Sequence, residues 1–214
     1  MTNPNICRND CKSGMTLVEI LIVITIIGVL VALGMSGVTR GIASANRAKC
    51  LGNLKQIGAA AEQYTQDNNN TFPPIDFWPN LLSQYLIDPL VARNLPPHTQ
   101  TVFWCPCAGS GASAPASAYN GNICYAINAQ GYAGLGRFKE TSSNGRRTDP
   151  AKRIAFMDGN SANIWDTSPQ RIPAWHGDSY NVVFQDSHAE TLNSKECVPG
   201  SAAWRNLFWG YARY

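Results

Sequence analysis

The chain has 214 residues, of which 14% are charged, and its formal net charge at pH 7 is +3. This length accommodates one membrane-spanning helix and one globular domain of roughly 150 residues. The small net charge argues against nucleic-acid binding, and loss of residues 1–14, with Arg8, Asp10 and Lys12, would lower it only to +2. The scarcity of charged residues suits an extracytoplasmic surface or a subunit that packs against copies of itself.

An apolar run from Met15 to Met35 contains one charged side chain, that of Glu19. Its 21 residues are enough to cross a bilayer as a helix. A carboxylate within such a span costs roughly 2.5–3.5 kcal/mol on insertion scales, so Glu19 needs a compensating interaction. If the chain is cut after Gly14, the new amine of Met15 in a neighbouring subunit can neutralise this carboxylate.

Gly14, the Met-Thr-Leu-Val-Glu segment at 15–19 and the apolar stretch after it resemble the processing signal of type IV pilins and type II secretion pseudopilins. The resemblance implies that residues 1–14 are a leader and that a prepilin peptidase cuts between Gly14 and Met15. It also implies that the peptidase methylates the amine of Met15, and that Glu19 guides assembly into a filament. Met15 departs from the commonest residue of the family at this position, which is phenylalanine, although the family accepts other apolar residues there.

Two other interpretations of the N-terminus stay open. A secretory signal peptide would use Arg8 and Lys12 as its basic region, Leu17–Leu33 as its apolar region and residues 32–34 as a cleavage site, so that the product begins at Met35. A plain membrane anchor would explain the length of the run but would leave Glu19 without a role. The length of the apolar region and a carboxylate near its start favour the pilin-like interpretation.

Apolar residues continue at helical spacing beyond the membrane segment. They fall at Val38, Ile42, Ala45, Ala48, Leu51, Leu54, Ile57, Ala61 and Tyr64. Spacings of three and four predict an amphipathic helix. Residues 15–36 would therefore form the transmembrane half, and residues 37–68 the amphipathic half, of one helix of about 50 residues that ends before Pro73-Pro74. The glycines within residues 34–37 would let the helix bend or pack closely, and the sequence leaves both possibilities open.

Residues 69–214 are predicted to form an extracytoplasmic α+β domain. A short helix is predicted over Pro79–Ile87, and runs of β-branched and aromatic residues predict strands. The predicted strands are Thr101–Cys105, Asn122–Asn128, Arg153–Asp158, Tyr180–Gln185 and His188–Leu192. The aromatic tail Trp204–Tyr214 is expected to pack on the sheet, with an exposed aromatic patch as the alternative. The predicted fold is α+β and pilin-like, with a long N-terminal helix packed on a small antiparallel sheet.

Two further segments resemble a large pilin-like group. One is Cys50–Gly58. The other corresponds to the group's C-terminal H-X9-DG element, with His176 followed ten residues later by Asp186 and with Ser187 in place of the glycine. The resemblance implies no biochemical activity, and the role of this element is not specified by the sequence.

A weak metal-site hypothesis follows from the expected pairing of strands. If the strands at 153–158 and 180–185 are antiparallel neighbours, Asp158 lies beside His176 and Asp178, whereas Asp186 lies at the other end of the pair, near Arg153. Some pseudopilins hold calcium in a C-terminal loop, and carboxylate oxygens are suitable ligands for that ion. The alternative is that the aspartates stabilise turns and that no cofactor is bound.

Five of the seven cysteines remain if Cys7 and Cys11 leave with the leader. They are Cys50, Cys105, Cys107, Cys124 and Cys197. Outside the cytoplasm some are expected to pair, and the odd count leaves at least one without an intrachain partner. Either Cys105 or Cys107 is expected to bridge to Cys124 or Cys50. A zinc site with three or four cysteine ligands is the alternative, although the spacings match no common zinc pattern.

The sequence contains no G-x-S-x-G, H-E-x-x-H or phosphate-binding glycine loop, so no enzymatic activity is predicted. The expected function is that of a structural subunit of a type IV pilus-like or type II secretion pseudopilus filament. Its partners would be copies of itself or other pilins, the prepilin peptidase, an inner-membrane assembly platform and the lipid bilayer. It would span the bacterial inner membrane once, with the C-terminal domain in the periplasm or in an extracellular filament. The alternative is a membrane-tethered or secreted periplasmic binding protein.

Overall fold

The computed structural model describes residues 14–86, 101–108, 123–129, 149–160, 163–164, 172, 175–195, 198 and 200–209. The chain divides into two compact units, of which the first ends at Ile42 and the second begins at Ala43. A Gly-, Ala- and Ser-rich composition predicts long loops at 106–120 and 129–150. Most of these residues lie outside the described ranges, and so do Cys197 and residues 210–214.

Helix α1 runs from Leu17 to Asp67 and has 51 residues. This confirms the prediction of one helix of about 50 residues that ends before Pro73-Pro74. Within it, an 18-residue window has a mean hydropathy of 2.8 and no buried residue, so the helix is long and apolar enough to cross a membrane. The helix continues through residues 34–37.

Burial on α1 begins later than the periodicity predicted. Val38 and Ile42 are exposed, and among the side chains of α1 that the structure describes, the first fully buried one is that of Cys50, followed by Leu54 and Ile57. The packed face therefore starts about three helical turns after residue 38. Helical spacing marks an apolar face, but it does not specify where along the helix that face meets other parts of the chain.

Five strands form one sheet in the order β3-β1-β2-β4-β5. They are β1 (Tyr125–Asn128), β2 (Ile154–Asp158), β3 (Asn163–Ile164), β4 (Ser179–Phe184) and β5 (Ala189–Asn193). All neighbours are antiparallel except β1 and β3, which are parallel. The expected pairing of β2 with β4 is confirmed, with Met157 opposite Val182.

Two elements of the sheet were predicted wrongly. Residues 101–105 form a turn, not a strand, and lead into a 3-10 helix at Pro106–Ala108. Within the described residues, one backbone hydrogen bond links this turn to the residue before β1. Cys124 N–H donates it to Phe103 O at 2.8 Å. The two-residue β3 was missed because it is too short to show an alternating pattern.

Helices cover both faces of this sheet. Buried residues of α1 and of α2 (Trp78–Ser83) form one cluster with Phe156 and Val183. Helix α3 (Ala202–Trp209) contributes three side chains to a second cluster. Those three are Trp204, Leu207 and Phe208. The second cluster contains Ala126 and Val182, whose side chains point to the opposite face of the sheet from those of Phe156 and Val183. The aromatic tail therefore packs on the sheet as far as Phe208.

Candidate functional site

The N-terminus of α1 is closed by a reciprocal pair of side chains. Thr16 N–H and Thr16 Oγ1–H both donate to Glu19 Oε2, each at 2.8 Å, and Glu19 N–H donates to Thr16 Oγ1 at 3.3 Å. This is a capping box, in which the residue before the helix and its third residue satisfy each other's free backbone donors. Glu19 therefore has an intrachain role that the sequence analysis missed, although the T-x-x-E spacing is the signal for it.

The bond predicted to be cleaved lies outside the helix. Gly14 and Met15 precede α1 without secondary structure, and Met15 is 69% exposed. Apart from its chain neighbours, no described residue has an atom within 4 Å of the position that a Cβ atom on Gly14 would occupy. A bond in exposed, non-helical chain is the kind that a peptidase can reach.

The prokaryotic N-terminal methylation motif matches residues 9–35, a range that contains Gly14, Met15 and Glu19. The chain carries the type IV pilin and pseudopilin signal. No curated protein and no solved structure matches the chain. The pilin signal ends at residue 35, so the similarity of His176, Asp186 and Ser187 to an H-X9-DG element stays a prediction.

A second group of polar residues lies buried at one end of β2 and β4. Asp158 Oδ2 accepts a 2.6 Å hydrogen bond from Asn181 N–H and lies 3.2 Å from His176 Nε2. The side chains of Asp158 and His176 are 0% and 1% exposed. Burial raises the pKa of Asp158, and the bonds from His176 and from Asn181 N–H lower it in part. The antiparallel pairing brings these two side chains together.

Asp178, the third predicted metal ligand, does not join them. Its Oδ2 lies 2.9 Å from Lys195 Nζ, and its side chain is 71% exposed. Gly177 adopts a φ of 69° just before it, which turns the chain so that Asp178 leaves the buried pair. Asp186, at the other end of the strands, contacts His188. Within the described residues, the three oxygen and nitrogen ligands proposed for calcium therefore do not form one group.

Cys50 of α1 forms a disulfide with Cys105. This is one of the pairings that the sequence had left open. The other two described cysteines, Cys107 and Cys124, are free thiols. Burial raises the pKa of Cys124 to about 12, so this thiol stays protonated and unreactive at neutral pH.

The disulfide lies against the buried histidine. Cys105 Sγ is 3.5 Å from His176 Nε2, the same nitrogen that faces Asp158. A Cys-His-Asp catalytic relay needs the nucleophile and the carboxylate on opposite ring nitrogens, and here the sulfur is also bonded to another sulfur. The arrangement is therefore a packed polar cluster and not a relay. Sequence reasoning placed Asp158 beside His176 but missed that the disulfide lies in this cluster, because Cys50 and Cys105 are far from His176 along the chain.

Proposed function

We propose that the chain is a structural subunit of a type IV pilus-like or type II secretion pseudopilus filament. A prepilin peptidase would cut between Gly14 and Met15 and methylate the new amine, and the subunit would assemble in the bacterial inner membrane with other pilins. The observation that supports this most directly is a single carboxylate, that of Glu19, at the start of an exposed apolar helix within the methylation motif.

The capping box suggests how Glu19 acts. Both bonds from Thr16 go to one oxygen, Oε2, so hydrogen bonds within the chain compensate part of the cost of a carboxylate in an apolar segment. After cleavage, Met15 would place a cationic amine one residue before the helix cap, where the positive end of the helix dipole disfavours it. A carboxylate from a neighbouring subunit relieves the cost of both charges.

The rest of the chain would follow the pilin arrangement. Residues 15–36 would form the transmembrane half of α1, residues 37–68 its second half, and residues 69–214 a domain in the periplasm or in an extracellular filament. The disulfide between Cys50 and Cys105 supports this location, because disulfides persist outside the reducing cytoplasm. Calcium binding by Asp158, His176 and Asp178 is not part of the proposal.

Processing is tested by the N-terminal mass of the chain recovered from its native envelope. We expect a chain that begins at Met15 with one added methyl group. Gly14→Val is expected to leave the leader attached, and Gly28→Val, the same change at a position with equally open surroundings, is expected to be processed normally. A mature chain that begins at Met35 would contradict the proposal and indicate an ordinary signal peptide.

Assembly is tested by separating the two roles of Glu19. Glu19→Gln removes the charge but keeps a side chain that serves in a capping box. Glu19→Ala removes the charge and the capping interaction. We expect both variants to be absent from sheared filaments while their inserted, processed forms accumulate in the membrane. Normal filament content in Glu19→Gln would show that the charge is dispensable. A tethered binding protein, the alternative function, would yield no filament from the unaltered chain.

A further inference from the structure

Four side chains with metal-binding atoms converge beside the buried histidine. They come from α1 (Cys50), from the turn and 3-10 helix at 101–108 (Cys105 and Cys107) and from the turn before β4 (His176). The three sulfur atoms and a ring nitrogen of His176 all lie within 4.8 Å of one another. Two thiolates on a tetrahedral zinc ion lie about 3.8 Å apart, given zinc–sulfur bonds of about 2.3 Å. Side-chain shifts of about 1 Å therefore suffice to close these atoms around one ion.

We propose that the reduced chain binds one zinc ion through Cys50, Cys105, Cys107 and His176. The disulfide and the zinc ion are then alternative states of one cluster, since Cys50 and Cys105 cannot serve both. This site is independent of filament assembly and differs from the calcium hypothesis in its ligands. Three thiolates and one imidazole form a common structural zinc site.

Conversion of the disulfide state into the zinc state requires a reductant, which can be a dithiol. A dithiol supplies two electrons and two protons to the Cys50–Cys105 bond and is itself oxidised to a disulfide. Zinc then displaces one proton from each of the three thiols, and neutral His176 provides a lone pair. The product is a zinc complex with a net charge of −1.

Unpartnered atoms show that the oxidised cluster leaves polar groups unsatisfied. Among the described residues, His176 Nδ1 and Asp158 Oδ1 are buried and have no hydrogen-bond partner. Leaving such atoms unpaired costs free energy. Histidines that bind zinc usually donate their second ring N–H to a carboxylate or a carbonyl. Asp158 Oδ2 lies 3.2 Å from Nε2, so it serves in this way when the ion binds through Nδ1, the nitrogen that has no partner in the oxidised cluster.

A basic side chain lies next to the same cluster. Desolvation raises the pKa of the Cys107 thiol, and the positive charge of Arg47 opposes part of that rise. A Cβ atom on Gly177, the residue after His176, would lie 3.9 Å from Arg47 Nη2. The guanidinium group is thus placed to compensate the negative charge of the zinc complex.

The test uses the full chain in detergent micelles with Cys7, Cys11 and Cys197 each changed to serine, so that these thiols cannot bind the probe. After reduction with a dithiol and removal of the excess, cobalt(II) serves as the spectroscopic probe. We expect one equivalent to produce the visible bands of tetrahedral, thiolate-bound cobalt, and one equivalent of zinc to abolish them. The oxidised chain is expected to produce no such bands.

Three variants decide whether the binding is that of the proposed site. Cys107→Ser keeps the disulfide available but removes one ligand, and His176→Gln removes another. Each is expected to bind zinc at least about tenfold more weakly than the parent. Cys124→Ala removes a buried thiol outside the cluster and is expected to bind zinc as the parent does. Parent-like zinc binding by Cys107→Ser or by His176→Gln would overturn the proposal. The absence of cobalt bands from the reduced parent would also overturn it, whether or not the reduced chain remains folded.

Discussion

Gly58 is required because α1 passes very close to β4 at this residue. A Cβ atom there would lie 2.6 Å from Val183 Cγ1, and valine has little freedom to turn away because it is branched at Cβ. Gly58→Ala is therefore expected to lower the free energy of unfolding by about 1–2 kcal/mol, since overpacking outweighs the gain in helix propensity. Gly52 lies in the same helix, and outside the adjacent helix backbone no atom of the described residues lies within 4 Å of such a Cβ atom.

Gly52→Ala is the matched control for this prediction. It is expected to raise the free energy of unfolding by up to about 1 kcal/mol, through helix propensity alone. Urea denaturation of both variants in micelles, followed by circular dichroism, measures the difference. Equal effects of the two substitutions would contradict the close approach.

Ser187 occupies a backbone conformation that favours glycine. Its φ is 68°, and it ends the turn between β4 and β5 at the position where the H-X9-DG element has glycine. Its hydroxyl donates a 3.3 Å hydrogen bond to Gly58 O. Ser187→Ala loses this bond and keeps the strain, whereas Ser187→Gly loses the bond and relieves the strain.

We therefore expect Ser187→Gly to be more stable than Ser187→Ala by about 1 kcal/mol. Thermal unfolding of the two variants side by side checks this, because both lack the hydroxyl and differ only in the Cβ atom. If the alanine variant were as stable as the glycine variant, the turn would not impose a left-handed conformation in solution.

Single residues were predictable where local spacing decides their contacts. The proximity of Asp158 and His176 followed from the expected antiparallel pairing of the strands at 153–158 and 180–185, and the register of β2 with β4 confirms that pairing. The exposure of Asp178 was not predictable, since it depends on the conformation of Gly177 and on Lys195, 17 residues further along the chain.

At the scale of elements, the sequence predicted long and strongly periodic segments well. Helix α1 and the four antiparallel strands have clear patterns, and the structure contains them with small shifts at their ends. Residues 101–105 were predicted as a strand from their aromatic and β-branched content, but a disulfide and a 3-10 helix hold them as a turn. Contacts between distant segments overrode local propensity there.

Helix α3 provides a test at this scale. Trp204 is fully buried, and its ring centroid lies 5.3 Å from that of Tyr180 and 4.8 Å from that of Phe208. Trp204→Ala is expected to lower the free energy of unfolding by about 3–5 kcal/mol, measured by urea denaturation. Arg205→Ala changes the exposed neighbour and is expected to shift it by no more than about 0.5 kcal/mol. A small effect of Trp204→Ala would show that α3 does not close the core.

At the scale of the molecule, the two segments that resemble the H-X9-DG group meet each other. At one end of these segments, Cys50 and His176 belong to one polar cluster. At the other end, Gly58 packs against Val183 and accepts a hydrogen bond from Ser187. The sequence presented these segments as separate resemblances more than 100 residues apart. Their contact was not predictable, because it depends on how α1 lies across β4.

The disulfide is expected to contribute about as much to stability as the side chain of Trp204. It closes a loop with a sequence separation of 55 residues, and its loss is expected to lower the free energy of unfolding by roughly 4 kcal/mol. Reduced and oxidised chains are compared by urea denaturation in the presence of a chelator. Cys107→Ser, which retains the bond, is the control and is expected to lie within about 0.5 kcal/mol of the parent. A reduced chain as stable as the oxidised one would contradict this expectation.

The position of Cys50 has a mechanical consequence. Among the described side chains of α1 it is the first that is fully buried, so a tensile load applied from the N-terminal side reaches a covalent bond before it reaches any packed side chain. The load then passes through Cys105 and leaves the later turns of the helix unstressed. Under force, the chain between the two cysteines cannot extend. At about 3.4 Å for each of the 55 residues of separation, an extended chain with the disulfide is therefore roughly 190 Å shorter than one without it.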